Sequence, residues 1–387
     1  MAVPEAVGVA VVGGGVIGLS VARELRRAGV DRVVVLEREA SVGQGSSSRA
    51  NGGVRAQFTT RANIAFSAFS IAELERLEAA TGLLGFHQTG YLLLCGTEAG
   101  EAGLAEAFEL QRSLGVDVRW LAPDEALAMV PFLRPDGLRA ATFHARDGFL
   151  DPHGVVAALR GEADRLDVRV LTGTEVTAVE PGPGGALDVR AGDRTLRAQV
   201  VVNAAGPAAG QVAALCGVDL PVAPVRRNLA YVREPDGAGP LIPMSVDLDT
   251  GVLVRREASG GFVVAWSNPD DPSSWDTAVD PRFLEQLAAR VGNRFPLLED
   301  LPLDPRQCWA GLYPETPDHH AVIGPDPELP ALVHCAGFGG HGVMHSPAAG
   351  RAVAELVSTG SCATFDLHPL RPSRFAEGDL IVETAVL

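Results

Sequence analysis

Residues 7–37 read VGVAVVGGGVIGLSVARELRRAGVDRVVVLE, and this stretch decides the fold. The valine-rich run over 7–12 predicts a buried strand. It ends at Gly13, after which Ile17, Val21, Leu25 and Ala28 recur at near-helical spacing until Gly29 caps the helix. RVVVLE over 32–37 is a second buried strand, so the segment predicts a βαβ unit. Gly13, Gly15 and Gly18 satisfy GxGxxG between strand and helix. Gly13 permits the tight turn, Gly15 lets a pyrophosphate approach the backbone, and Gly18 lets helix and strand pack closely, while the helix N-terminus favours the anion. Glu37, nineteen residues beyond Gly18, can accept hydrogen bonds from ribose hydroxyls and disfavours a 2′-phosphate. A ligand-free glycine turn is the plain alternative; strand, helix and placed acid together favour a dinucleotide. The motif alone does not separate FAD from NAD.

The segment that follows, SVGQGSSSRANGGVRAQF over 41–58, is long, polar and glycine-rich. Structureless loops of this length are uncommon inside compact domains, so it reads as a loop with a task rather than a solvated surface turn. An extended FAD needs donors along its pyrophosphate and flavin, and Ser46, Ser47 and Asn51 can supply them. Far along the chain, Gly337-Phe338-Gly339-Gly340-His341-Gly342 again lies between strand and helix. Its N–H groups form a second anion site, suited to the negative charge of a reduced flavin near N1 and C2=O. Two such turns suit one long cofactor held between them.

Between these turns the pattern changes twice. Residues 61–80 have helical periodicity, TGYLLLCGT over 89–97 reads as a strand, 101–114 as a surface helix, and 150–166 as a helix opened by Asp151 and Pro152. Residues 168–206 hold three or four short strands with hairpin signals. The stretch 219–318 is strand-rich and proline-rich, with a helix pattern at 282–291, and the strand, glycine turn and helix texture then returns. The expected fold is α/β (α+β): a discontinuous Rossmann-type FAD-binding domain over 1–85, 146–218 and 319–387, with an inserted mixed β-sheet substrate domain over 86–145 and 219–318.

Composition narrows the function classes. The 387 residues are 47% apolar and 21% charged, which describes a globular chain long enough for more than one core. A formal charge of −16 repels nucleic acid and anionic lipid, leaving small molecules as partners. All 32 basic side chains are arginines, so Schiff-base and P-loop lysine chemistry are excluded. Cys95, Cys216, Cys308, Cys335 and Cys362 lie far apart and read as reduced thiols. No run approaches a bilayer span and no basic leader opens the chain, so a cytoplasmic protein is expected. His319 with His320, and His341 with His345, lack the glutamate of HExxH, and no metal is expected.

Taken together, VVGGGVIGLSVARELRRAG with Glu37, GSSSRANGGVRAQF, GTEVTAVE, VVNAAGP, WAGLYPETPDHHAVIG and AGFGGHGVMHSPAAGRAVAEL resemble the FAD-dependent D-amino-acid oxidase superfamily. The likeness is strongest to its glycine oxidase, sarcosine oxidase, sarcosine oxidase β-subunit and proline dehydrogenase branch. It covers nearly the whole chain. It implies that Glu37 meets the adenosine ribose, that the main chain of Val176 meets adenine, and that Ser46, Ser47 and Asn51 contact the pyrophosphate and flavin side. Gly339, Gly340, Gly342, Val343 and Met344 would face the flavin pyrimidine edge. Val16, Ile17, Arg38, Gly52, Ala205, Gly206, Gly311 and Gly337 complete the implied cofactor set. Arg55 falls where sarcosine oxidases place an arginine that receives the substrate carboxylate, and a planar guanidinium suits that task.

The departures from the family are informative. Gly311 stands where monomeric sarcosine oxidases carry the cysteine that binds flavin covalently, and Cys308 lies three residues earlier, so FAD should be non-covalent. Tyr313 replaces the arginine of glycine oxidase and can donate one hydrogen bond. His341 is expected to touch flavin or substrate. The lysine that some sarcosine oxidases use with oxygen is missing, which leaves O2 and an electron carrier both open as acceptor, and with them a partner subunit of a larger dehydrogenase complex. The expected reaction oxidises the C–N bond of a small amino acid or N-alkyl amino acid by hydride transfer to flavin N5, with hydrolysis of the imine and no strong base. The alternatives are a 2-hydroxy-acid dehydrogenase of the same fold, a flavin-containing non-catalytic subunit or assembly factor, and a plain NAD dehydrogenase. Trp266, Ser267 and Tyr231 are candidates for the pocket wall.

Overall fold

The computed structural model describes residues 5–234, 239–258, 260–381 and Glu383. Strand β1 (Glu5–Val12), helix α1 (Val16–Arg27) and strand β2 (Val33–Leu36) form the expected βαβ unit, with β1 and β2 parallel in the register Val9 to Val33. Helix α1 ends at Ala28, and Gly29 follows at φ +82°, a left-handed conformation that glycine reaches without steric cost. The sheet built on this unit runs Val322–Pro325, Leu332–Ala336, Arg194–Asn203, β1, β2 and Arg169–Leu171. A meander of Val176–Pro181 and Leu187–Ala191 extends from the strand Arg194–Asn203.

Side-chain alternation then sorts the core into layers. Val9, Val11, Val33 and Val35 pack with Val21, Ala22 and Leu25 of α1 and with Ala348, Ala349 and Ala352 of the helix Gly342–Thr359. Ala10, Val12, Val34 and Leu36 point the other way, onto Val179, Leu187 and Val189 of the meander. The Gly342–Thr359 helix can lie close against α1 because a Cβ at Gly350 would sit 2.7 Å from the Ser20 carbonyl oxygen. The two glycine turns therefore open side by side at the same edge of one sheet.

The other large sheet is mixed, in the order Trp309–Glu315, Ala223–Val232, Phe262–Ala265, Val252–Arg256, Met244–Asp247, Tyr91–Cys95, Ala140–His144 and Arg119–Leu121. Its neighbours are antiparallel except Met244–Asp247 beside Tyr91–Cys95. The helix Pro281–Val291 covers one face through Phe283, Leu287 and Val291.

The surface helix expected at 101–114 begins a turn earlier, as Glu98–Ser113, because the Thr97 hydroxyl accepts the Gly100 N–H at 3.0 Å and caps it. The helix expected over 150–166 is Pro152–Arg165, capped by Asp151, whose side chain accepts from the His153 N–H at 2.9 Å. The polar loop folds into a short turn, Ser46–Arg49, and a strand, Gly53–Val54, that pairs with Gly148–Phe149. Among the described residues no helix is long and apolar enough to cross a membrane.

Candidate active site

A cavity of about 700 Å³ runs along the edge where both glycine turns open, and most of the residues singled out in the sequence line it. Its wall includes Gly13, Gly15, Val16 and Ile17 from the first turn and Gly337, Gly339, Gly340, Gly342 and Val343 from the second. The backbone explains the glycines. Gly13 holds φ +110°, with a would-be Cβ 2.4 Å from the Ala204 carbonyl oxygen. Gly340 faces the Tyr313 ring, which a Cβ would meet at 2.7 Å. Gly18 does not line the cavity: it is a packing glycine, because a Cβ there would lie 1.8 Å from the Gly13 oxygen.

Glu37 and Arg38 line one part of the wall with Val176. The Glu37 carboxylate accepts the Gly14 N–H at 2.7 Å and the Glu39 N–H at 2.9 Å, which fixes its orientation toward the turn. The Ser47 hydroxyl accepts the Val16 N–H at 3.2 Å, so a loop side chain caps the first turn of α1. Ser46 also lines the cavity, but its hydroxyl donates to the Leu312 carbonyl oxygen at 2.5 Å and ties the loop to the second sheet. Asn51 Oδ1 is buried with no hydrogen-bond partner among the described residues, an acceptor that a ligand N–H would satisfy. Ala205, Gly206 and Gly311 complete the expected lining, whereas Gly52 and Met344 face a second cavity instead.

Gly311 offers no nucleophile, and Cys308 lies off the wall, its thiol directed to the Asp304 carbonyl oxygen at 3.6 Å. Cys335 does line the cavity, but burial pushes its pKa up and keeps it a thiol. We therefore expect acid precipitation of the purified protein to release all of its flavin into the supernatant. Colour retained in the protein pellet would show a covalent bond and contradict this.

The second cavity, about 80 Å³, shares Ala50, Asn51, Arg227, Leu229, Tyr313, Gly340 and Val343 with the first. Arg55, Tyr313 and His341 all line it, so the structure brings the three candidate chemical residues together. Arg55 is 2% exposed; its guanidinium lies 4.0 Å over the Phe58 ring and donates to the Gln57 carbonyl oxygen at 2.7 Å. Gln57 in turn donates to the Tyr91 carbonyl oxygen at 3.0 Å, so the arginine rests on a hydrogen-bonded platform. Burial lowers the pKa of Arg55, opposed by the electrostatics of Tyr91, Glu383 and Asp147. Burial, and then the charge of Arg55, push His341 well below the usual imidazole range, so His341 is neutral at the pH of most assays. Tyr313 is pushed up by burial and stays a phenol, able to donate.

Trp266 and Ser267 line the second cavity as expected, but Tyr231 does not. It shares the face of Arg227 and Leu229 on the strand Ala223–Val232 but lies farther along it, and its hydroxyl donates to the Gly260 carbonyl oxygen. His345 is also set back: its Nε2 pairs with the Ser67 hydroxyl at 2.8 Å. The wall contains residues that pattern reading did not select, including Arg49, Gln211, Trp275 and Thr277 of the larger cavity and Arg227 of both. Arg49 alone had a signal, its place inside the glycine-rich loop.

A cavity between two helix starts, with a placed carboxylate and a buried arginine at one side, suits a dinucleotide cofactor. Residues 8–356 match the family described as FAD dependent oxidoreductase (DAO), and the chain belongs to that family. It is 32% identical to FAD-dependent oxidoreductase domain-containing protein 1 of Bos taurus over 99% of this chain and 88% of that protein. It is 30% identical to the glycine oxidase of Geobacillus kaustophilus (strain HTA426), over 95% of this chain and 96% of that one. The crystal structure of L-proline dehydrogenase from P. horikoshii superposes with a TM-score of 0.91 at 28% identity, covering 98% of this chain and 100% of that one. The protein is an FAD-binding flavoprotein, and the fit of its glycine cradles to a pyrophosphate and a flavin edge agrees with that.

Proposed function

We propose that the protein oxidises the C–N bond of a small amino acid or N-alkyl amino acid. Arg55 carries this reading: a buried guanidinium lies in a small cavity that shares a wall with the cofactor cavity. A carboxylate on Arg55 gains charge-assisted hydrogen bonds in a site shielded from water. Tyr313 stands at the junction of the cavities and donates to the substrate, while the neutral imidazole of His341 adds no positive charge beside Arg55. His341 therefore adds nothing to the charge of the arginines that would oppose loss of a hydride from the α-carbon.

Held along the wall that includes Gly13, Gly15, Gly339 and Gly340, FAD would supply the two-electron acceptor for a hydride from the carbon α to nitrogen. The amine nitrogen loses its proton to water, and the imine so formed hydrolyses to a carbonyl compound and a free amine. No side chain of the cavity has to act as a strong base. The names of the relatives support this class of chemistry, glycine oxidase and L-proline dehydrogenase among them.

Anaerobic titration of the yellow protein with sarcosine, proline, glycine, D-amino acids and 2-hydroxyglutarate tests the reading. At least one amine should bleach the flavin band. Bleaching by the hydroxy acid alone, or by none of these compounds, would overturn it.

A further inference from the structure

The wall of the second cavity holds another buried cation besides Arg55. Arg227 is 9% exposed and borders both cavities. Its strand places it opposite Gly311, two residues from the partner of Tyr313, and its guanidinium lies 5.7 Å from the centre of the Tyr313 ring. Tyr313 thus stands within electrostatic reach of both Arg227 and Arg55.

The local partners of Arg227 are weak. Nη1 makes long contacts of 3.3 Å to Asn268 O and Asp271 Oδ2 and 3.4 Å to Arg226 O. Its Nε is buried with no hydrogen-bond partner among the described residues. Asp271 lies outside the wall of the second cavity with a quarter of its side chain exposed, and among the described residues that wall contains no aspartate or glutamate. In a chain of net charge −16, a small cavity with arginines and no acid in its wall is a local reversal of sign. Burying an unsatisfied guanidinium N–H is costly unless a ligand completes it.

We propose that Arg227 receives a second carboxylate of the substrate, so that the natural substrate is an amino dicarboxylic or N-carboxyalkyl amino acid. Arg55 holds the carboxylate next to the reacting carbon, and Arg227 holds the distal one across Tyr313. This rests on the amine-oxidising reading above, whose α-carboxylate occupies Arg55.

The binding experiment needs no turnover. Methoxyacetate and oxydiacetate differ by one carboxylate, and neither has a C–N bond to oxidise. Calorimetry on the FAD-loaded protein should show oxydiacetate binding about 10- to 100-fold tighter, the range of one charge-assisted contact in a shielded site. In Arg227→Gln this ratio should collapse toward one, and Arg227→Lys should keep part of it, because a point charge replaces the planar fork. Flavin absorbance per chain is read in each variant alongside. Equal affinities in the wild type overturn the proposal, as does a ratio unchanged in Arg227→Gln. Loss of FAD from that variant also overturns it, by assigning Arg227 to the flavin. Anaerobic bleaching by sarcosine and by N-(carboxymethyl)glycine separates the two levels of inference. A dianion preference without bleaching by any amine defeats the amine reading, whereas equal bleaching by both amines defeats only the role of Arg227.

Discussion

Arg55→Met should stay yellow and should need about 100-fold more amino acid than the wild type to bleach its flavin, because the substrate carboxylate loses its charge-assisted hydrogen bonds. The reason for choosing methionine is packing. The Arg55 guanidinium covers the Phe58 ring at 4.0 Å, and an unbranched apolar chain of similar length keeps much of that contact. The guanidinium also contributes to holding Glu383 ionised: burial raises that carboxyl, but hydrogen bonds from Thr59 and Asn63 and the charge of Arg55 bring it below its ordinary value. Some loss of thermal stability is therefore expected, so the melting temperature should be measured with the titration. A variant that keeps its fold and its flavin yet bleaches at wild-type concentrations would remove Arg55 from the substrate site.

Gly18→Ala should cost the protein its cofactor. The added methyl would lie 1.8 Å from the Gly13 carbonyl oxygen, and the obstacle is backbone rather than a movable side chain. To relieve it, α1 must move away from β1, which opens the turn that the GxGxxG motif assigns to a pyrophosphate. Flavin content after purification should fall below about a tenth of the wild-type value, in line with an overpacking cost of roughly 1–3 kcal/mol added to a disturbed anion site. Gly29→Ala is the informative comparison. It has φ +82° but nothing within 4 Å of its would-be Cβ, so it should cost about 1 kcal/mol of stability and keep its flavin. A Gly18→Ala protein with full flavin and an unchanged melting temperature would contradict this account of the turn.

The parts of the site that were legible in sequence are those where backbone sterics permit few residues. Gly13 and Gly340 announce themselves because close approach excludes a side chain, and Glu37 because its place at the end of β2 follows from strand length. Such constraints are local, and local patterns carry them. Arg227 and Trp275 reach the cofactor cavity through the register and connections of the second sheet, which no short window encodes. Tyr231 shows the limit most clearly. Strand alternation puts it on the same face as Arg227 and Leu229, but only the three-dimensional position of the cavity shows that this face has by then passed beyond it. Gly18 was legible in the same way as Gly13: the motif assigns it to close packing of helix and strand, and a Cβ there would lie 1.8 Å from the Gly13 oxygen.

The sheet that cradles the nucleotide takes β1 from one end of the chain and Leu332–Ala336 from the other, with a whole second sheet threaded between them. A ribosome making this protein releases the first half of the grip early and the second half more than three hundred residues later. Until the 337–343 turn emerges, the nascent chain has one anion-binding helix start and nothing to oppose it. The full cradle for the vitamin-derived cofactor thus exists only after both turns have been made.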